Sequence, residues 1–378
     1  MDIVPEGIKK STWNKVLDYI AMSDEPPPYL LMDKEVIREK VGQIGKAIRN
    51  AKVFYAVKAN PDIEVCRFLA EQGVGFEIAS EGELRILAEI GVAPERIITS
   101  NPMKTFRFME EAVAYGVNYF SYDTRPEVDK MARYAPGANV YVRLVVPNEG
   151  SEWPLSKKFG VEIEEAAELL IYARDKGLNP VGITFHVGSQ CNNPYNWQSA
   201  VDKARELWET AAEAGIQLKM LDIGGGYPIR YTKNVVEIET IEKKIDKALR
   251  QRFPEEVEIF IEPGRAVVGD SGVFVGTVIG KTKRSGDENW LYIDVGVFNG
   301  LMESVGGIKY NYIVGARGET KTWTVCGPSC DSMDVIDKEA ELPEPEVGNR
   351  ILIPSAGAYT ISYASEFNGF SIPKAILI

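Results

Sequence analysis

The chain has 378 residues, 45% hydrophobic and 26% charged, with a formal net charge of −12; that length suits one large domain with a smaller companion, and the composition is ordinary for a soluble globular protein. The acidic balance argues against nucleic acid, which is met by basic patches, and mildly favours cationic ligands. No apolar run approaches the roughly 18 residues that span a bilayer, the N-terminal MDIVPEGIKK has no apolar signal core, and with one histidine, His186, multi-histidine metal sites are nearly excluded.

The first thirty or so residues carry Pro26-Pro27-Pro28. Apolar spacing then predicts a helix over 34–50 and a β-branched strand over 53–59. The alternation repeats with helix 63–72 and strand 76–79, helix 81–90 and strand 97–100, then helix 106–115 and strand 119–122. It continues with helix 126–134 and strand 140–146, helix 163–176 and strand 181–187, helix 196–214 and strand 220–223, and helix 238–252 and strand 258–261. Gly73, Gly91, Gly116, Gly177 and Gly215 stand where C-terminal stops belong. Helices alternating with buried strands imply a parallel sheet with crossover helices. Eight such units predict an α/β fold, a closed (β/α)8 TIM-type barrel over 34–265, with an open doubly wound sheet as the alternative. Beyond Gly264, strands at 272–281, 290–295, 322–326, 350–353 and 375–378 are separated by turn residues and predict an all-β domain, a barrel or sandwich. That domain is assigned 266–378 together with 1–33.

The active site of such a barrel lies at the C-terminal ends of its strands. Those ends carry Lys58, Glu77, Arg143, the run His186-Val-Gly-Ser189-Gln190, Gly224-Gly225-Gly226, and Glu262-Pro-Gly-Arg265. A lysine at a strand end is ordinarily solvated, a lone histidine ordinarily a satisfied core residue, and three glycines ordinarily a flexible turn. Lys58 sits in a buried-type strand, however, where a lysine is paired or functional and gives up its charge readily. The glycines lack the G-x-G-x-x-G spacing of dinucleotide sites. Bare N–H groups at a strand-to-helix turn do bind phosphate, and barrels commonly hold one after strands seven and eight. A lysine with a phosphate cradle and no Walker sequence points to pyridoxal 5'-phosphate.

Cys66, Cys191, Cys326 and Cys330 are too sparse for a disulfide framework and fit a reducing, cytoplasmic setting. Cys326 and Cys330 lack the second ligand pair of a zinc site, so no metal is expected. In the loop CGPSCD, Cys330 and Asp331 are structural or functional. Tyr359 offers a hydroxyl in a glycine turn and Glu303 a further carboxylate.

YAVKANP, GFEIAS, HVGSQ, DIGGGYP, EPGR, CGPSCDSMD and GAYT resemble, in order, the motifs of the ornithine/lysine decarboxylase family, the alanine-racemase-like pyridoxal-phosphate enzymes. The resemblance runs from about residue 30 to the C-terminus. It implies that Lys58 carries the cofactor as a Schiff base and that His186 stacks on its ring. Ser189, Gly224, Gly225, Gly226, Arg265 and Tyr359 hold its phosphate, and Glu262 pairs with its ring nitrogen. Glu77 and Arg143 assist near the cofactor; the family usually has Asp where this chain has Glu77. Cys330 reprotonates the product, and Asp331 with Glu303 reads the far amine of the substrate. The resemblance implies decarboxylation of a basic L-amino acid, ornithine to putrescine first, in a homodimer where Lys58 of one subunit faces Cys330 of the other. Lysine or dual lysine/ornithine decarboxylation is the nearest alternative. Diaminopimelate decarboxylases carry a Cys-Glu-Ser type motif in place of CGPSCD, and racemases usually place arginine where Glu262 stands. A non-catalytic regulatory homologue is the reading of another class.

Overall fold

The structure is a computed structural model and describes residues 4, 5, 8–153, 158–284 and 286–378. Residues 1–3, 6 and 7, part of the segment expected to join the β domain, lie outside that set. The chain divides into two compact units: 41–228 with 236–264, and 1–40 with 229–235 and 265–378. Residues 34–40 and 229–235, placed from sequence with the barrel, cluster with the second unit instead. Their bonds show why. Lys34 N–H donates to Ile378 O at 3.1 Å, Lys40 pairs with Asp270 at 2.7 Å, and the Tyr231 carbonyl accepts from Asn311 Nδ2 at 2.8 Å.

In the first unit, among the described residues, eight parallel strands form one sheet: β1 Ala51–Ala56, β2 Gly75–Glu77, β3 Ile97–Ile98, β4 Tyr119–Tyr122, β5 Asn139–Arg143, β6 Asn179–Thr184, β7 Met220–Asp222 and β8 Glu258–Ile261. Their order is β3-β2-β1-β8-β7-β6-β5-β4, so each lies beside its neighbour in sequence. The ends of that path meet. Thr99 bridges Phe120 in parallel, its N–H donating to Tyr119 O at 3.1 Å and its carbonyl accepting from Ser121 N–H at 2.9 Å. The sheet is thus a closed barrel, and the open doubly wound alternative falls away. Helices Ile63–Glu71, Glu81–Glu89, Phe106–Tyr115, Arg125–Tyr134, Ile163–Asp175, Tyr195–Glu213 and Ile238–Arg252 make the crossovers. The helix expected over 34–50 stops at Gln43. Gly45 takes a φ of 80°, and Glu242 accepts from the Gly45 and Ala47 N–H groups at 2.6 and 3.2 Å, giving that backbone partners outside a helix.

Phe54, Ile98, Tyr141, Val181, Met220 and Phe260 fill one layer of the barrel interior, with the Phe54 and Phe260 rings 4.7 Å apart. Truncating a buried phenylalanine of this kind costs about 3–5 kcal/mol. Side chains alternate faces along a strand. The residue two positions on therefore faces the same interior, one layer nearer the C-terminal mouth. That rule places Ser100 above Ile98, Arg143 above Tyr141, Asp222 above Met220 and Glu262 above Phe260. An apolar floor carries a polar layer, and the polar layer is where the chemistry lies.

The second unit is mostly strand. Among its described residues, Ile313–Val314, Arg350–Pro354, Gly272–Lys283, Asn289–Ile293, Thr320–Cys326 and Val335–Pro343 follow one another in a sheet. Tyr29–Met32 runs antiparallel to Gly272–Lys283 and parallel to Lys374–Leu377. Helix Lys10–Met22 was not predicted. It has no side-chain N-cap, so the usual start signal is missing, and it is held by Trp13 and Val16 packing on Tyr29, Leu31, Val273 and Leu352. Strand Val335–Pro343 was missed because its charges (Asp337, Lys338, Glu339, Glu341) mask the alternation; it pairs with Thr320–Cys326. Among the described residues, no helix is long and apolar enough to cross a membrane.

Candidate active site

At the barrel mouth, β1 ends at Ala56 and passes into a one-turn 3-10 helix, Val57–Ala59. Val57 and Ala59 are buried, but the turn carries the Lys58 side chain outward, and it is 47% exposed. The buried lysine expected from a strand reaching residue 59 is therefore corrected. Lys58 Nζ meets Glu77 Oε2 at 2.9 Å, and that carboxylate, at the end of β2, is buried. Behind it stands Glu83, a residue the sequence reading passed over. Glu83 Oε2 accepts from Ala79 N–H at 2.6 Å while Ser80 Oγ accepts from Glu83 N–H at 3.3 Å. The two form a capping arrangement of the S-x-x-E kind at the start of Glu81–Glu89. Burial, then the charge of Glu77, pushes the Glu83 carboxyl up to about 7.

On the far side of the mouth, Glu262 and Asp222 are buried together. Ser100 Oγ bonds Glu262 Oε1, lies 3.4 Å from Asp222 Oδ2 and 2.8 Å from the Tyr141 hydroxyl. Asp222 also accepts from Thr184 Oγ1 at 2.8 Å and from Gly224 N–H at 2.9 Å. Burial first, then the charges of Asp222 and Glu77, holds Glu262 well above the ordinary carboxyl range. Burial raises Asp222 as well. Arg143, above Tyr141, reaches the Ser100 carbonyl at 3.5 Å and lies over the Phe159 ring.

His186 is held as an acceptor: its Nδ1 takes the Gly188 N–H at 3.0 Å. Burial, then the positive charges of Arg143 and Lys58, pushes the imidazole well below its ordinary pKa, so it is neutral. The glycine run wraps beneath it. Gly224 and Gly226 take φ values of 64° and 96°. A Cβ on Gly224, Gly225 or Gly226 would collide with the carbonyl of Phe185, Glu262 or Gly188 respectively. Only bare backbone fits there. Among the described residues, the Gly225 and Gly226 N–H groups donate to no protein acceptor. Ser189 lies in the short ribbon that Ser189–Cys191 forms with Ser151–Trp153. This half of the expected site suits a phosphorylated aromatic aldehyde: an amine for the aldehyde, a neutral imidazole, a buried acid and unclaimed backbone donors.

The remaining expected residues lie in the second unit. Arg265 and Glu303 form a buried, two-pronged pair, Nη1 to Oε2 and Nη2 to Oε1 at 2.6 Å each, and both side chains are 4% exposed. The Tyr231 hydroxyl bonds the same guanidinium, which lies 4.6 Å from the Tyr359 ring centre. Glu303, expected to read a substrate amine, thus has both oxygens on Arg265, because the 3-10 turn Met302–Gly306 turns it into the interior. Cys330 is exposed. Its N–H and Sγ lie 3.1 and 3.3 Å from Asn368 Oδ1, and Asn368 holds a left-handed φ of 56°. Asp331 accepts from Met333 N–H at 2.8 Å. Asp334 braces the loop from within, accepting from Val297 and Ser329 N–H at 2.7 and 2.9 Å.

The structure therefore gathers Lys58, Glu77, Arg143, His186, Gly224, Gly225, Gly226 and Glu262 around one barrel mouth, and Arg265, Glu303 and Tyr359 around another cluster. Ser100, Asp222, Tyr141, Tyr231 and Asn368 were not singled out from sequence. Ser100 ends the predicted strand 97–100 and Asp222 is the last but one residue of 220–223, so the strand-end rule alone would have found them.

Residues 34–269 match the family described as pyridoxal-dependent decarboxylase, pyridoxal binding domain. The chain is 37% identical to the lysine/ornithine decarboxylase of Selenomonas ruminantium, over 93% of this chain and 90% of that protein. It is 31% identical to antizyme inhibitor 2 of Xenopus laevis, over 98% and 85%. The crystal structure of lysine/ornithine decarboxylase from Vibrio vulnificus complexed with putrescine superposes with a TM-score of 0.89 at 31% identity, covering 98% of this chain and 99% of that one.

Proposed function

This chain belongs to the pyridoxal-dependent decarboxylases, and from that membership we propose that it removes the carboxylate of a basic L-amino acid, with L-ornithine the favoured substrate and putrescine its product. Pyridoxal phosphate is the cofactor, and when bound it supplies the electron sink that lets the bond to the carboxylate break. The observation that carries the reading is Glu262, buried and hydrogen-bonded at the mouth that also presents Lys58. An acid beside a ring nitrogen favours its protonated, electron-accepting form.

Each group then has work it can do. Lys58 offers the amine to the cofactor, and Glu77, at 2.9 Å, fixes where that amine stands. His186 presents a neutral imidazole face. The Gly224–Gly226 backbone supplies N–H donors for a phosphate, with Ser189, Arg265 and Tyr359 as the other anion-binding groups of the proposal. Arg143 adds positive charge beside Glu262. Cys330 hands a proton to the substrate carbon after carbon dioxide leaves, and Asn368 holds that thiol in place. Asp331 reads the distal amine. Glu303, with both oxygens on Arg265, serves the guanidinium rather than the substrate.

Ornithine and lysine differ by one methylene, worth about 1–3 kcal/mol in a pocket, so a dual lysine/ornithine enzyme is the second reading; the relative from Selenomonas ruminantium bears that double name. A regulatory role, suggested by the likeness to antizyme inhibitor 2, is disfavoured because Lys58, Glu262 and Cys330 are all retained. The test is carbon dioxide release from ornithine, lysine, arginine and diaminopimelate, with the cofactor supplied. Ornithine should give the highest kcat/KM. Release from none of the four would overturn the reading, and a preference for lysine would replace it with the second one.

A further inference from the structure

Ser100 Oγ sits between two buried carboxyls and has one proton to give. Its neighbours are Glu262 Oε1, Asp222 Oδ2 at 3.4 Å and the Tyr141 hydroxyl at 2.8 Å. The Tyr141 O–H is directed to Thr99 O at 2.9 Å, and the Thr184 O–H is spent on Asp222 at 2.8 Å. Three contacts around Ser100 cannot all be served by one hydroxyl proton. With the Tyr141 proton on Thr99, a proton on one of the two carboxyls completes the set. The charges say the same. Glu77, Asp222 and Glu262 face each other across the mouth with Lys58 and Arg143 as the cations, while behind them Glu83 and Asp123 add acid, Lys104 adds a cation beside Asp123, and His186 is neutral. Acids outnumber cations, and Asp222 and Glu262 are themselves buried, which favours retaining a proton.

We propose that Ser100 and Asp222 are positioning residues that keep one proton stored on the Asp222–Glu262 pair and deliver it, through Glu262, to a ring nitrogen placed beside that carboxyl. The proposal rests on the reading that Glu262 faces the cofactor ring. The step balances: the O–H bond of the carboxyl breaks, an N–H bond forms, and the pair is left with the full negative charge that a protonated ring nitrogen requires. Asp222 has a plainer task as well, since its Oδ1 accepts the Gly224 N–H at 2.9 Å and braces the glycine turn. One oxygen suffices for that brace. The other faces Ser100 and Thr184, which bracing the turn does not require.

Asp222→Asn separates the two tasks, because its amide oxygen still accepts from Gly224 while the acid is gone. The experiment is a calorimetric titration of the apoprotein with pyridoxal phosphate near about pH 8, in two buffers of different ionisation enthalpy, which counts protons exchanged per site. Wild type should draw its ring proton from the stored one. Asp222→Asn, which removes one of the charges that hold Glu262 protonated, should take up more from the buffer, by up to about one proton. Ser100→Ala, which removes the bridge and keeps both acids, should shift in the same direction by less; it also serves if the Asn variant does not fold. Equal proton counts in wild type and the folded variants overturn this proposal and leave the family-based reading of the mouth standing. Absence of pyridoxal phosphate binding by wild type overturns both.

Discussion

Lys58 Nζ and Glu77 Oε2 are 2.9 Å apart, a half-exposed cation held by a carboxylate that is 2% exposed. The amine can move while its partner cannot, so Glu77 sets where Lys58 waits. Reduction of the loaded protein with borohydride should fix the cofactor to the peptide that contains Lys58, and Lys58→Ala should lose that adduct. Glu77→Gln should weaken cofactor retention by about tenfold, or roughly 1.4 kcal/mol, whereas Glu77→Asp should hold it nearer to wild type. An adduct on another lysine would show that Lys58 has been misassigned.

Cys330 and Asn368 make the second prediction. If the thiol reprotonates the substrate carbon, Cys330→Ala should lower formation of the correct amine by about 10²-fold, more than it lowers carbon dioxide release. Asn368→Ala should reduce kcat with little effect on KM, because it lets the thiol wander rather than removing it. The ratio of amine to carbon dioxide measures the first, and rates against substrate concentration measure the second. Amine yield equal to carbon dioxide in Cys330→Ala would exclude the thiol as the donor.

Arg265 and Glu303 give a stability prediction. Removing one member of a buried, hydrogen-bonded pair leaves the other charge without its partner and costs about 3–5 kcal/mol. Glu303→Gln should therefore shift the urea midpoint strongly downward. The double change Arg265→Met with Glu303→Leu should recover much of the loss, since no stranded charge remains. A double variant as unstable as the single one would mean that packing, and not charge, dominates there.

Glu83 gives a pH signature. Its carboxyl is raised to about 7 by burial and by Glu77, so the folded chain holds a proton that the unfolded chain releases near about pH 4.3. A raised carboxyl stabilises the fold at low pH, and that stabilisation is lost as pH rises through about 7. The change is about 3 kcal/mol. Urea unfolding of the apoprotein at about pH 5 and pH 8 should show wild type losing more stability than Glu83→Gln. Taking the difference between the two proteins cancels the opposite contribution of His186, whose lowered pKa makes stability fall as pH drops below its unfolded value. Parallel pH curves would rule Glu83 out as the titrating group.

Much of this was legible because strand ends in a barrel point at one mouth. The alternation of helices with buried runs located every barrel strand, though several end two or three residues sooner than their apolar runs suggest; β6, for example, stops at Thr184. Lys58, His186 and Glu262 could be named because each stands at such an end. Asn368 and Tyr231 could not, since their partners, Cys330 and Arg265, are 38 and 34 positions away and nothing local marks them. The pairing of Glu303 with Arg265 was hidden for the same reason: an acid in a loop reads alike whether it turns to a substrate or to a guanidinium. Helix Lys10–Met22 escaped notice because tertiary packing, not a cap, holds it.

Among the described residues, the backbone bonds between β3 and β4 are the two at Thr99, with the Lys104 amine reaching Ser121 O beside them, and the next residue is Ser100. A cylinder breathes first along its thinnest seam. Here that seam runs beside the serine that bridges Asp222 and Glu262, so each brief parting would admit water to the carboxyls before any other stave of the wall gave way. Amide exchange at Thr99 and Ser121 is thus a gauge of how long the interior stays dry.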